Sequence, residues 1–410
     1  MAGSFQQGGS ERQAVQVTRL LCESGRYNVH LVCLDPAGPL RAEAEALGLE
    51  IPSFPLTSFY DWNMAVQLRR FVRYLREQRI EVVQAFDFYT NIFGMTGGAL
   101  ARVPVRIAAR RETEGLRTAA QKFIERRAFQ LAHVVAANSD AVGRELVGDG
   151  VPARKIVTVY NGMDTSRIGP RPDLDHKETL ASLGLPHDGA RRFVTVVANM
   201  RHPAKDQAMF LRAARRVRQS VPEAAFVLAG EGGLIESYRA LAAELGLADA
   251  VFFTGRCARV AELLAVSSVC VLSSRGVEGF SNSIAEYMAA ARPVVATDIG
   301  GAAEAVLEGE TGFVVRPGDD ETMAARIIEL LKDTARAREM GERGRRVVME
   351  KFSCEAQLAR VESLYERLLG ARAGHVEAPP VGAATQSAVG AAAQSAAGAA
   401  AQSAARGPDK

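Results

Sequence analysis

At 410 residues the chain is longer than a single hydrophobic core usually grows, so two domains are expected. A hydrophobic fraction of 48% and a charged fraction of 24% are ordinary for a globular protein and exclude a wholly disordered or fibrous one. The net charge of +3 is too small to indicate nucleic acid, and cysteines at 22, 33, 257, 270 and 354 have neither C-x-x-C nor metal-ligand spacing. No stretch approaches the roughly 18 apolar residues of a membrane span. Residues 1–10 carry neither the basic start nor the apolar core of a signal peptide, so a cytoplasmic location is expected.

In chain order, Met1-Ala2-Gly3-Ser4-Phe5 is a poor strand, short and interrupted by Gly and Ser. The helical pattern Arg12–Glu23 nevertheless needs a strand before it. The expectation is that Met1 lies inside the natural first strand. Gly8-Gly9-Ser10 joins the two. Its glycines allow close approach to a phosphate or sugar at a helix start, and a plain turn with Ser10 as N-cap explains them too. Strands are then predicted at Val29–Cys33, Glu50–Phe54, Val82–Phe86, Val105–Ala109, Val134–Ala137 and Lys155–Val159. Pro52 demotes the second of these to an edge. Helices are predicted at Met64–Glu77 and Thr118–Leu131. Between Ala101 and Arg127 eight basic residues face three glutamates. They read either as a solvated helical face or as a contact for anionic lipid.

The stretch from Gly162 to Gly189 is rich in Pro, Gly and Asp and reads as a connector. A second strand series follows at Phe193–Ala198, Ala225–Ala229, Val251–Thr254, Val269–Ser273, Pro293–Ala296 and Gly312–Val315. Alternating strands and helices predict an α/β fold with two parallel, doubly wound sheets, whose ligands sit at the carboxyl ends of the strands. The helix Cys354–Leu369 carries an apolar stripe of Leu358, Val361, Leu364, Tyr365 and Leu368. After Gly370 an Ala/Gly/Gln/Ser repeat has too few large apolar side chains to fold and is expected to be disordered.

The strongest chemical signal is the run from Val277 through Glu278-Gly279-Phe280-Ser281-Asn282-Ser283 to Glu286. It follows a strand and opens a helix, which makes the free N–H groups of the first turn an anion site. Glu278 lies at the mouth, and Glu286 eight residues on can reach back toward it. One carboxylate suits sugar hydroxyls and the other a ribose diol.

This run, with Arg292-Pro293-Val294-Val295, Gly300-Gly301, Glu304 and Thr311-Gly312-Phe313, resembles the signature region of the family 4 retaining glycosyltransferases. Asn161-Gly162-Met163-Asp164, Gly230-Glu231-Gly232 and Thr254-Gly255-Arg256 are similar to further motifs of that family, in order over residues 8–369. The resemblance implies a GT-B fold of two facing Rossmann-like domains with a C-terminal helix crossing back to the first. It implies retaining, metal-independent transfer of a sugar from a nucleoside-diphosphate sugar, with no cofactor, to a glycan or lipid-linked acceptor. The domain reading is 1–170 on the acceptor side, 171–189 as linker, 190–353 for the nucleotide sugar, 354–370 as returning helix and 371–410 as tail.

By the same resemblance Glu278 holds donor-sugar hydroxyls, and Gly279, Phe280 and Ser281 hold a phosphate through backbone and helix start. Glu286 binds ribose, and Gly8, Gly9, Glu231 and Arg256 line the donor site. Lys205, in Arg201-His202-Pro203-Ala204-Lys205, matches the family's diphosphate-clamping lysine. Arg201 sits one position late, with Met200 at the usual place. Asp87 stands where many members carry a histidine. It is a candidate acceptor or sugar contact, and equally a cap for the helix that follows. Ala291 replaces the usual glycine before Arg292-Pro293. Asp173-Leu174-Asp175 matches a metal motif only formally, being in the connector. The expected localisation is cytoplasmic, with peripheral contact to the inner face of the plasma membrane as an extension. A nucleotide-sugar epimerase of the same architecture and a non-catalytic binding module are the alternative readings.

Overall fold

A computed structural model describes residues 1–372 apart from 59–60, 114–116, 172, 188, 190 and 277. Near-continuous apolar runs make strands buried on both faces, which is the pattern of parallel sheets under helices. In the first half, β1 (Val82–Gln84), β2 (Val105–Arg110), β3 (Val134–Ala137) and β4 (Ile156–Thr158) pair in parallel in the order β1-β2-β3-β4.

Beyond β1 the sheet continues as single bridges. The Met1 ammonium donates to the Gln84 carbonyl at 2.8 Å, and Ala2 pairs with Cys33, which pairs with Ser53. The predicted strands Val29–Cys33 and Glu50–Phe54 are thus reduced to one paired residue each. Pro52, without an N–H, offers only its carbonyl to Cys33 at 3.1 Å. The unpromising start is central all the same: Ala2 and Phe5 are fully buried.

The second half forms β5 (Arg192–Val197), β6 (Ala224–Ala229), β7 (Val251–Gly255), β8 (Ser267–Leu272), β9 (Val294–Thr297) and β10 (Gly312–Val315). Their order is β10-β9-β8-β5-β6-β7, all parallel. Strand order therefore reverses between β5 and β8, where a doubly wound sheet opens a crevice for ligands. Its core packs Val194, Val196, Phe226 and Leu228 beneath Met209, Phe210 and Ile327.

The connector is less open than its composition suggests. It contains the helix His176–Ser182, capped by Asp175 through Glu178 N at 2.9 Å, and Leu180 and Leu185 pack with Phe193. Asp173 pairs with Arg171 at 3.5 Å, so both members of the formal metal motif have structural partners. The last helix, Cys354–Arg372, returns to the first domain as expected. Gln357 donates to Gln13 at 2.7 Å and accepts from Gln16 at 2.8 Å, Glu362 pairs with Arg26 at 2.9 Å, and Tyr365 donates to Gln84. The expected disordered repeat lies outside the described residues.

Part of the basic run is held by partners within the first domain, while Arg102, Arg126 and Arg127 stay exposed. Arg110 is buried between Glu125 at 2.8 Å and Asp149 at 2.5 Å. Arg117 bridges Glu125 and Glu112 at 2.7 and 3.0 Å, and Arg106 donates to the carbonyls of Leu131 and Val103. Among the described residues no helix is long and apolar enough to cross a membrane.

Candidate active site

The loops after β5 and β8 are stapled together at the switch point. After β5 the chain buries Met200, turns through Pro203–Lys205 and enters the helix Gln207–Ser220 at Asp206, whose carboxylate caps Met209 N at 3.1 Å. Ser273 donates to the Lys205 carbonyl at 2.8 Å, and Arg275 N to Ala204 O at 2.9 Å. This fixes Lys205 beside Glu278, and the two side chains form an ion pair. Ser274 Oγ donates to the same Glu278 oxygen at 2.8 Å. Glu278 is buried, 7% exposed, a position a carboxylate tolerates only when paired and hydrogen-bonded.

Next to the pair, Phe280 turns its ring into an aromatic cluster with Tyr160 and Phe352 at 5.5 and 4.7 Å. Only its backbone is left for a ligand. Ser281 is the N-cap of the helix Asn282–Ala289 but makes no side-chain cap bond, so that helix start keeps free donors. Glu286 is half-buried, with no side-chain hydrogen bond among the described residues. Burial pushes its carboxyl up to about 7 against the attraction of Arg12.

Across the crevice, Gly230 and Gly232 have φ of 156° and 155°. A β-carbon at either would collide with the carbonyls of Ala198 and Met200, so the sequence Gly-Glu-Gly is a packing requirement. It places Glu231 against Arg201, with which it forms an exposed ion pair.

One cleft of about 680 Å³ collects most of the predicted donor residues: Gly8, Gly9, Arg201, Lys205, Glu231, Arg256 and Glu286. Gly8 is the N-cap of the helix Gly9–Ser24, and Arg256 bonds Gln7 across the cleft at 2.8 Å. Glu278, Gly279, Phe280 and Ser281 do not line this cleft, whereas Lys205, the partner of Glu278, does. Asp87 lies apart, in a cavity of about 570 Å³ in the first domain. One of its oxygens caps Tyr89 N and Thr90 N at 2.9 and 3.0 Å. The other is buried and unpartnered.

Three features escaped sequence reading. Glu11 lines both cavities. Arg111 bonds Asn161, which in turn donates to Asn282 at 2.7 Å. The Glu278 carbonyl accepts from Thr113 N and Oγ1 at 3.1 and 2.7 Å. Glu11 had a weak signal, the Gly-Gly-Ser-Glu helix start. The others depend on contacts between residues 50 to 165 positions apart.

Two doubly wound domains around a cleft lined by Lys205, which is paired with the buried Glu278, and by a helix N-terminus define a GT-B architecture suited to an anionic nucleotide. The chain belongs to the family 4 glycosyltransferases. The family described as Glycosyltransferase Family 4 matches residues 7–167, and Glycosyl transferases group 1 matches residues 191–333. The chain is 33% identical over 222 residues to the GDP-mannose-dependent alpha-(1-6)-phosphatidylinositol monomannoside mannosyltransferase of Mycolicibacterium smegmatis, covering 52% of this chain and 56% of that one. It is 31% identical over 218 residues to the N-acetyl-alpha-D-glucosaminyl L-malate synthase of Bacillus anthracis, covering 53% and 55%. The match thus spans about half the length of these curated relatives. The fold is similar to that of Anabaena Alr3699/HepE in complex with UDP, with a TM-score of 0.78 at 20% identity over 89% of this chain and 99% of that one.

Proposed function

We propose that this chain transfers a sugar from a nucleoside-diphosphate sugar to a glycan or lipid-linked acceptor, with retention at the anomeric carbon and without a metal ion or cofactor. The observation that carries this reading is the Lys205–Glu278 pair at the switch point. On donor binding Lys205, assisted by Arg201, turns to the diphosphate, whose negative charge grows as the glycosidic bond breaks. Glu278, released from Lys205 and still held by Ser274, accepts hydrogen bonds from the sugar hydroxyls. Backbone at Gly279 and Phe280 and the start of the helix at Ser281 take a phosphate. Glu286 takes the ribose diol, while Gly8, Gly9, Glu231 and Arg256 close the donor site. The anomeric carbon exchanges its bond to the diphosphate for one to the acceptor oxygen, and the acceptor's proton ends on the released diphosphate. The GDP-mannose dependence of one relative and the UDP complex of a structural neighbour support a nucleotide-sugar donor.

Peripheral contact with an anionic bilayer on the cytoplasmic side is the finer part of the proposal. It rests on Phe123, exposed on a helix with Lys122, Arg126 and Arg127. Co-sedimentation with phosphatidylglycerol vesicles, lost in Phe123→Glu, tests it.

Incubation of the purified chain with a panel of nucleotide sugars tests the main reading. Release of nucleoside diphosphate in step with acceptor consumption is expected, unchanged by chelator. Lys205→Ala should lower kcat at least a hundredfold, about the effect of removing one charge-stabilising donor. Interconversion of the sugar nucleotide would indicate an epimerase, and binding without turnover a module. Loss of activity in chelator, restored by a divalent ion, would overturn metal independence.

A further inference from the structure

Glu11 follows the glycine-rich helix start and has no assigned role, yet it is the charged residue common to both cavities. It lines the 680 Å³ cleft between the domains and the 570 Å³ cavity of the first domain. Its carboxylate folds back over the helix start, where a β-carbon on Gly8 would collide with it. Asp87 repeats the pattern in the same cavity: a β-carbon on Gly3 would sit 2.8 Å from Asp87 Oδ2. That oxygen is buried with no hydrogen-bond partner. Two glycines thus clear space for two carboxylates, in one cavity that also contains Ser4 and Ser10.

The surroundings narrow the ligand. Burial and the neighbouring charge of Asp87 push the Glu11 carboxyl upward, while Arg111 and the Ser4 hydroxyl pull it down. Arg111 forms no ion pair among the described residues. Its guanidinium bonds Asn161 and lies 5.8 Å from the Phe86 ring. Arg117, on the rim, is already held by Glu125 and Glu112. Asp35 and Glu112 line the same cavity, so its carboxylates outnumber Arg111 and Arg117, an excess that disfavours an anion, and Asp87 keeps one oxygen without a donor. Tyr89 adds an exposed ring at its edge, a surface on which the apolar face of a pyranose can lie.

We propose that Glu11 positions the reacting hydroxyl of the acceptor at the doorway between the two cavities, that Asp87 holds a neighbouring hydroxyl, and that the acceptor end entering this cavity is an uncharged sugar. The proposal rests on glycosyl transfer as the reaction. Glu11 accepts a hydrogen bond and takes no proton. It aims the acceptor oxygen at the anomeric carbon of a donor held in the cleft.

The test uses the full chain, the nucleotide sugar it turns over, and two sets of acceptor probes: neutral octyl pyranosides, and the anions glycerol 3-phosphate and malate. Neutral pyranosides should be the better acceptors. Glu11→Gln should raise the acceptor KM or lower kcat so that kcat/KM falls at least tenfold, with the Kd for nucleoside diphosphate within twofold of the unaltered chain. Asp87→Asn, which keeps a capping oxygen for Tyr89 and Thr90, should raise acceptor KM without a change in nucleotide Kd. A purely structural role at the helix start predicts a fall in Tm and no selective loss toward acceptor, and that result would overturn the assignment. A parallel loss of nucleotide affinity, or preference for the anionic acceptors, would overturn it as well. Failure of the unaltered chain to turn over any nucleotide sugar would instead overturn the reaction class beneath it.

Discussion

Two residues in and just after the helix Asn282–Ala289 carry measurable consequences of their local environment. Burial holds the Glu286 carboxyl at about 7, so it is largely neutral below that pH and charged above it. A ribose diol donates two hydrogen bonds, which a carboxylate accepts better than a carboxyl group. Binding should therefore favour the ionised form. The Kd for the nucleotide sugar should tighten as pH rises from 6 to 8, with a proton released on binding at the acid end. The intact nucleotide sugar is the right ligand, because its diphosphate has no terminal phosphate that titrates in this range. In Glu286→Gln the profile should be flat and binding weaker throughout, as titration calorimetry in two buffers of different ionisation heat would show. Ala291 is a second case. It ends the helix Asn282–Ala289 with φ of +55°, its N–H bonding Met288 O and that of Arg292 bonding Tyr287 O, both at 2.9 Å. This is a helix end that glycine favours, and an L-residue there is strained by about 1 kcal/mol. Ala291→Gly should raise the unfolding free energy by roughly that amount, read from the denaturant midpoint.

Among the elements, the helix Asp140–Gly148 is capped twice, once from its own domain and once from the other. Ser139 accepts from Val142 N at 3.2 Å. Glu304, from the short helix after β9, accepts from Asp140 N at 2.8 Å and Ala141 N at 2.7 Å, and from the Tyr160 hydroxyl at 3.0 Å. Removing this carboxylate orphans two N–H groups at a helix start, so Glu304→Ala should cost about 1–2 kcal/mol. Glu304→Gln, which keeps an acceptor, should fall between, and equal stability of all three proteins would disprove the cap. Glu304 was legible in the sequence only as part of a family motif, since its partner lies more than 160 positions away. Apolar runs such as Val134–Ala137 and Gly312–Val315 were read with their correct limits, because strands buried on both faces announce themselves by composition. The strands expected around Cys33 and Ser53 shrank to bridges. An apolar segment at the edge of a sheet gains its pairing from neighbours that composition does not reveal. The site divides in the same way. Lys205, Glu278 and Glu286 were visible from local motifs, whereas Glu11 becomes significant only once two cavities are seen to share it.

On the scale of the whole molecule, the two domains meet at a hinge and at a mouth. At the hinge the connecting segments cross in parallel: Met163 N donates to Phe352 O at 2.7 Å and Cys354 N to Met163 O at 3.2 Å. The buried Gln13–Gln357 pair lies beside them. At the mouth the loop of Glu278 and Gly279 presses on the first domain. The Thr113 bonds to the Glu278 carbonyl hold it, and a β-carbon on Gly279 would run into Arg111 O and the Asn138 side chain. Gly279 is therefore a point of close backbone approach between the two domains. Gly279→Ala cannot be absorbed by a flexible side chain, because Arg111 presents a backbone carbonyl and Asn138 is buried. The clash should wedge the mouth open while both sheets and the hinge stay intact. Misplacing reacting groups by an ångström can lower a rate by about a hundredfold, so kcat/KM should fall between ten- and a hundredfold with Tm nearly unchanged. Small-angle scattering should show a larger radius of gyration than for the unaltered chain. Full activity with an unchanged scattering profile would mean that the mouth need not close to this distance for transfer.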